Sequence, residues 1–313
     1  MGDFHEIDGS RGEGGGQILR NALSLALAGQ QPIRIEHIRD NRSKPGLRYQ
    51  HMCAAEAAAV VSDGELAGAE IGSRTLEFRP GELTPNSYRF DVGTAGSAVL
   101  VLQTLLPPMV CRNAASEIVV EGGTHNRGAP LFEFLNEAYI PQLDRMDGDL
   151  EVCLLKCGFY PKGGGRIRAD IQPGCESLES VELVDRGDVQ RIAVTSVLAH
   201  LPDHIARREI ETLEAELGET PVPIETRTLE TPEAECPGNA LIVEVESDQI
   251  TEVFTEVGEQ GLPAETVASR CAERVRDYLA SGAPVGPHLA DQLLLPMAMA
   301  GGGKMRISEA TTH

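Results

Sequence analysis

Three times along this 313-residue chain a glycine-rich turn runs directly into a short apolar helical stretch. The first turn spans Asp8 to Gln17 and feeds a helix predicted through Gly29. The second, Gly93-Thr94-Ala95-Gly96-Ser97, feeds Ala98 to Leu106. There Pro107-Pro108 is expected to stop the helix, because proline lacks the N–H that a helix interior needs. The third, Val285 to Gln292, leads into Leu293 to Ala300 and closes on Gly301-Gly302-Gly303. Strand patterns lie between them at Pro32 to Ile38, Glu70 to Arg79, Ser87 to Val92, Ile118 to Glu121, Leu150 to Lys156 and Gly165 to Ile171. The copies share pattern and little identity. Such recurrence predicts an α/β (α+β) fold made of repeated β/α units.

The first turn places five glycines within the eight positions Gly9 to Gly16. Its backbone can therefore take positive φ and bring bare N–H groups against a ligand. A turn of this kind at a helix N-terminus suits an anion, phosphate above all. Glu13, inside the run, could hold a divalent cation that bridges to that phosphate. On the following helix Gln17, Arg20 and Ser24 share one stripe, opposite leucines and alanines. Neither standard phosphate fingerprint is present: there is no Gly-Lys-Ser/Thr ending and no strand of convincing length before the loop. From these residues alone, a flexible turn capping an ordinary core helix stays open beside a phosphate cradle.

Charge narrows the choice of partner. The formal net charge is −21, and only Lys44, Lys156, Lys162 and Lys304 are lysines. That excess argues against a general nucleic-acid binder. The same balance is typical of proteins that work in molar salt, where the Debye length falls to roughly 3 Å and global repulsion hardly matters. Local charge then decides. Arg39 to Arg48 is the most basic stretch, with Arg39, Arg42, Lys44 and Arg48 against Asp40 and a Pro45-Gly46 turn. In so acidic a chain it reads as a phosphate-contacting surface.

A helix is predicted over Gln50 to Val61, and another over Leu131 to Leu143 after the turn Gly122 to Pro130. A further glycine turn, Lys162-Gly163-Gly164-Gly165-Arg166, separates two strands. Near Val181 the texture changes. Strands at Ile192 to Leu201, Val222 to Leu229, Ala240 to Glu246 and Ile250 to Val257, with helices at Asp203 to Leu217 and Pro263 to Gly282, predict a compact α/β insert. The division expected is 1–181 main unit, 182–281 insert with thioredoxin-like topology, and 282–313 main unit continued.

No run of 18 or more apolar residues occurs, and the N-terminus carries no basic-plus-apolar signal pattern, so a cytoplasmic protein without a membrane partner is expected. The seven cysteines are odd in number and scattered, Cys153-x-x-x-Cys157 has no second pair, and Cys236 and Cys271 form no Cys-x-x-Cys. Reduced structural thiols are the reading.

Four segments taken together, Glu13-Gly14-Gly15-Gly16-Gln17-Ile18-Leu19-Arg20, Lys44-Pro45-Gly46-Leu47, Gly93 to Ser97, and His288-Leu289-Ala290-Asp291-Gln292-Leu293 with Gly301 to Gly303, resemble the RNA 3′-terminal phosphate cyclase family. The resemblance covers nearly the whole chain in order. It implies repeats of the RNA cyclase/EPSP-synthase-like type. It also implies an enzyme that converts an RNA 3′-phosphate to a 2′,3′-cyclic phosphate, using ATP and Mg²⁺ or Mn²⁺. The family's nucleophile is a histidine that takes AMP on Nε2, here His313. On its own residues, a terminal histidine reads as a solvated chain end.

Further roles follow from the same resemblance. Glu13 is the metal carboxylate. Arg20, with Arg39, Arg42 and Lys44, contacts phosphates of ATP or of the RNA end. Gln103 and the segment His288, Leu289, Ala290, Asp291 and Gln292 form the nucleotide pocket, with His288 and Pro130 flanking the adenine. The family often has tyrosine where His288 stands. Gln17 joins the ATP contacts and Gln50 the RNA-phosphate contacts, although both read equally as braces of the loop, and Asp291 reads equally as a cap or salt-bridge residue. The family continues past its nucleophile with a Thr-Asn segment, a helix and a strand, so the sequence ending at His313 is expected to be cut short. Two alternatives stay open: an inactive cyclase-like factor in ribosomal RNA processing, and an adenylyltransferase acting on another polynucleotide end. The natural RNA and the oligomeric state, with a homodimer as one candidate, are also open.

Overall fold

The structure is a computed structural model and describes residues 4–112, 114–174 and 176–311. A first unit runs β1 (His5–Asp8), α1 (Gly16–Gly29), β2 (Ile33–Glu36), α2 (Tyr49–Ser62), β3 (Glu65–Ala67) and β4 (Leu76–Arg79). Its sheet order is β1-β2-β4-β3, with β1 parallel to β2 and both later pairings antiparallel. The second unit repeats this strand for strand. Its elements are β5 (Ser87–Asp91), α3 (Ala98–Val110), β6 (Ser116–Gly122), a π-helical turn (Phe134–Tyr139) continued by α4 (Ile140–Arg145), β7 (Leu150–Lys156) and β8 (Gly165–Ile171). Their order is β5-β6-β8-β7, again with the first pair parallel.

The third copy is split. β9 (Glu182–Leu183) pairs in parallel with β14 (Lys304–Met305), and α7 (Pro287–Met299) crosses between them. Within the split lie β10 (Val189–Ala199), α5 (His204–Leu217), β11 (Ile224–Glu230), β12 (Gly238–Ser247), β13 (Thr251–Val257) and α6 (Ala264–Ser281). They form a sheet of order β11-β10-β12-β13. Because successive strand residues point to opposite faces, β12 serves two cores. Leu241, Val243 and Val245 pack with Leu213, Val267, Cys271 and Val275 of α5 and α6, whereas Ala240 and Ile242 join the main core around α1, α2 and α3.

Several expectations change. A short strand, β1, does precede the glycine loop, held parallel by Ile33 to Glu36. The strand expected from Glu70 begins only at Leu76, because Glu70 to Ser73 form a turn closed by Ser73 N–H donating to Glu70 O at 3.0 Å. Pro107 and Pro108 lie inside α3. Pro108 leaves the Thr104 carbonyl without its usual helical donor, and the Ser24 hydroxyl of α1 donates to it at 2.5 Å. The Leu131 to Leu143 helix is a π-turn before a short α-helix, and Pro141 sits in the first turn after the change. α7 starts at Pro287, earlier than its periodicity suggested, because proline at the first helical position loses no bond.

Candidate active site

The glycine turn, the basic loop, the start of α2, the segment Asn126 to Leu131, the end of β13, α6 and α7 enclose one cavity of about 850 Å³. The helix α1 begins at its edge, with Gly15 as N-cap. Gly16 has no room for a side chain: an added Cβ would overlap His51 Nε2 and lie 2.9 Å from Arg20 Nη1. The Lys44-Pro45-Gly46 turn is equally constrained, since Gly46 has φ +75° and its Cβ would overlap the Gly72 carbonyl. Asn41 Nδ2 donates to Ser10 O at 2.7 Å and fastens the basic loop to the glycine turn.

Six arginines line the cavity (Arg20, Arg39, Arg42, Arg127, Arg270 and Arg274) against the carboxylates Glu13, Glu256 and Asp291. In a chain of charge −21, this local excess of cations marks an anion site. Desolvation lowers the Arg20 pKa to about 10. Arg39 is also pushed down, by desolvation and then by Arg48 and Arg42. Its backbone is left-handed (φ +57°), a conformation a side chain holds only when its surroundings enforce it. Here Arg39 Nη1 donates to the carbonyls of Lys44 and Gly46, both at 2.8 Å. Arg42 Nη2 bonds Glu13 Oε2 at 2.7 Å. An anion entering this cluster relieves both the repulsion and the lost solvation.

His51 is a residue that sequence reasoning missed. It is buried, and its Nδ1 accepts the Arg48 N–H at 3.2 Å. Burial first, then Arg20, Arg39 and Arg48, lower its pKa to about 3, so it is neutral at pH 7. The same bond requires the ring proton on Nε2, the nitrogen facing Gly16.

Of the residues singled out from sequence, Glu13, Gln17, Arg20, Arg39, Arg42, Gln50, Pro130, His288, Asp291 and Gln292 line the cavity. Gln50 is also a brace, accepting the Ser97 N–H at 2.9 Å. Along α7, His288, Asp291 and Gln292 share the face toward the cavity, as spacing of three and four requires. Leu289 and Ala290 between them turn into the core. Lys44 is exposed outside the cavity, and Ser24 left its predicted stripe for the buried bond to Thr104. Gln103 is buried outside the lining, with both amide atoms unpartnered. Asn126 Oδ1, in the lining, is likewise buried without a partner. His313 lies outside the described residues. Thr311, two positions before it, donates its hydroxyl to Asp291 at 2.7 and 2.9 Å from the two carboxylate oxygens.

The inserted sheet supplies a wall that no motif announced. Val253 to Val257, Arg270 and Arg274 all face the cavity, with Glu256 bridging Arg274 (2.9 Å) and Arg270 (3.6 Å). Arg270 and Arg274 stand one helical turn apart on α6, a signal visible only once the helix is known to face a site. Among the described residues no group of three or more His, Cys, Asp or Glu is arranged to hold a metal.

Repeated α/β units that gather a glycine-capped helix start and six arginines in one cleft define an enzyme-like, polyphosphate-sized anion site. A family model described as RNA 3′-terminal phosphate cyclase matches residues 11–313. Proteins named RNA 3′-terminal phosphate cyclase are similar throughout. The one from Koribacter versatilis is 52% identical over 307 residues, covering 98% of this chain and 86% of its own. That from Ralstonia nicotianae is 46% identical over 309 residues (98% and 88%), and that from Salmonella agona 44% over 308 residues (98% and 88%). The chain belongs to the RNA 3′-terminal phosphate cyclase family.

Proposed function

We propose that this chain is an ATP-dependent RNA 3′-phosphate cyclase working through a histidine adenylate. The observation that carries the reading is the joining, in one cavity, of the Gly16 cradle, the Arg20, Arg39 and Arg42 cluster and Asp291, which holds Thr311. By the family resemblance, His313 is the nucleophile. In the first step His313 Nε2 attacks the α-phosphate of ATP, a P–N bond forms and diphosphate leaves. An oxygen of the RNA 3′-phosphate then attacks the adenylate, breaking P–N and giving RNA-3′-pp-5′-A. Finally the neighbouring 2′-OH closes on the activated phosphorus, loses its proton and expels AMP. Only RNA carries that hydroxyl.

Arg20, Arg39 and Arg42 bind phosphate oxygens through planar guanidinium groups. His288 and Pro130 flank the base, and the unpartnered Asn126 Oδ1 is an acceptor for a nucleotide donor. A divalent cation, Mg²⁺ or Mn²⁺, would supply charge neutralisation at the phosphates. Glu13 is the carboxylate to hold it, and a lone carboxylate fits Mg²⁺, which takes its other ligands from phosphate and water. The 1–183 and 282–313 segments form the catalytic unit and the insert its far wall; the boundary expected at 181 moves past β9, which pairs with β14 of the main unit. We place the protein in the cytoplasm; the free thiols of Cys53, Cys111, Cys153, Cys157, Cys236 and Cys271 support that setting.

The deciding experiment is self-labelling with α-labelled ATP and Mg²⁺. An acid-labile, alkali-stable label that is lost in His313→Ala is expected. Equal labelling of the variant overturns the nucleophile assignment.

A further inference from the structure

The turn at Lys162 to Arg166 stands outside the chemistry above, yet it is the most tightly specified surface feature of the second unit. Phe159 anchors it. That ring is 2% exposed and stacks on buried His125 with centroids 5.0 Å apart. The Phe159 carbonyl accepts the Gly163 N–H at 2.7 Å. Gly163 (φ +73°) abuts the second glycine turn so closely that a Cβ would lie 2.8 Å from the Ala95 Cα and the Thr94 carbonyl. Gly164 (φ +65°) leaves a Cβ only 2.5 Å from the Glu235 carboxylate carbon. Between these fixed points Tyr160 projects outward at 79% exposure, the highest of any exposed large hydrophobic side chain described.

A lone exposed aromatic ring is ordinary on a protein surface; this one is set apart by the fixed backbone on both sides of it and by the cations near it in sequence. Two of the chain's four lysines, Lys156 and Lys162, lie four residues before and two residues after it in sequence. Arg166 follows at once and shares Glu121 with Arg89, each at 3.1 Å. Lys156 is paired with Glu235 at 2.8 Å, and Lys162, although close enough for its charge to act on the same carboxylate, forms no ion pair within 4 Å among the described residues. The support of the tip is also tied to the cavity: Ala95, whose Cα lies under Gly163, accepts a hydrogen bond at its carbonyl from Asn126 Nδ2 at 2.8 Å, and Asn126 lines the cavity.

We propose that the Tyr160 to Lys162 tip is a docking platform for the RNA strand upstream of its reacting end: Tyr160 stacks on a base, and Lys162 meets a backbone phosphate. Ring stacking beside a cation is the general means of holding single strands without reading sequence. The proposal rests on the cyclase reading and adds where the body of the RNA lies.

Binding of a fluorescent 3′-phosphorylated oligoribonucleotide and self-adenylation are measured side by side on the full chain. Tyr160→Ala is expected to weaken binding roughly 5- to 100-fold, the loss of one stacked base, with adenylation unchanged. Tyr160→Phe, which keeps the ring, restores binding. Lys162→Ala lowers the slope of log affinity against log salt by about 0.7. A 3′-phosphorylated dinucleotide, which lacks the upstream strand proposed to dock here, is expected to bind parent and Tyr160→Ala alike. If Tyr160→Ala binds the long RNA as the parent does, the proposal is overturned while the cyclase reading stands. A parent that adenylates but binds no RNA overturns it too. A parent that does neither removes the cyclase reading and this proposal together. If Tyr160→Ala only converts an oligomer to a monomer, the tip is a contact between copies and the RNA assignment fails.

Discussion

Arg42 and Glu13 are bonded to each other, Nη2 to Oε2 at 2.7 Å, across the mouth of the cavity. The guanidinium proposed for phosphate and the carboxylate proposed for a cation thus occupy one another. Their side chains are 42% and 36% exposed, and a pair so open to water contributes no more than about 1 kcal/mol. The RNA 3′-phosphate proposed for Arg42 and the cation proposed for Glu13 would each offer a stronger partner, so both groups begin in place.

Breaking that pair from either side should have different effects. Glu13→Gln is expected to raise the Mg²⁺ or Mn²⁺ needed for half-maximal self-adenylation roughly tenfold or more, the scale on which support for a metal is lost. An unchanged midpoint excludes Glu13 from the cation's shell. Arg42→Glu is expected to raise the requirement for the RNA end more than that for ATP, and equal changes in both argue against a specific RNA role.

Gly16→Ala tests the cradle. The added methyl must displace His51 or Arg20, and overpacking of this kind destabilises by about 1–3 kcal/mol. Loss of ATP binding beyond that expected from the change in thermal midpoint is the predicted result, read by calorimetry and ATP titration together.

Thr311→Val keeps shape and removes the hydroxyl that reaches both oxygens of Asp291. A hydrogen bond to a charged group is worth enough to slow self-adenylation on the order of tenfold, with ATP affinity nearly unchanged. A parallel loss of ATP affinity would show that Asp291 serves the nucleotide and not the chain end.

Glu252 gives a pH signature. It is fully buried at the start of β13 and accepts the Gly286 N–H at 2.6 Å, which joins the insert to the start of α7. Burial raises its pKa from 4.5 to about 8. Below 4.5 folded and unfolded chains both hold the proton and the stabilisation is complete. Between 4.5 and about 8 only the folded chain holds it, so stability falls as pH rises through that window and levels off above it. Glu252→Gln keeps an acceptor and removes the titration. Its thermal midpoint should therefore decline less than the parent's across this range, and parallel declines would refute the assignment.

What the sequence discloses here follows from how local the cause is. Gly16 and Gly46 announce themselves because only glycine survives where a neighbouring side chain or carbonyl occupies the Cβ position. His288, Asp291 and Gln292 are legible through the family resemblance, which could not separate them from Leu289 and Ala290; helical spacing does so only once the helix is seen to start at Pro287. The π-turn at Phe134 to Tyr139 breaks the period on which such reading depends. Pro107 and Pro108 mislead because the compensating donor, Ser24, lies on another helix. His51 and the Arg270, Arg274 and Glu256 wall are invisible for the same reason, since their roles are set by partners brought close only by the tertiary fold.

The divided third repeat has a consequence for the order in which the molecule is made. Leu183 meets Met305 in one parallel pair, so β9 leaves the ribosome with its partner still more than a hundred codons away. At about 5–20 residues per second, the first two units have roughly 6–24 seconds to fold before the strand that completes the third unit exists. For much of that interval Arg20, Arg39 and Arg42 stand without the wall that the insert and α7 later supply, and by the proposed mechanism a nascent chain stalled there would hold phosphate without forming the adenylate.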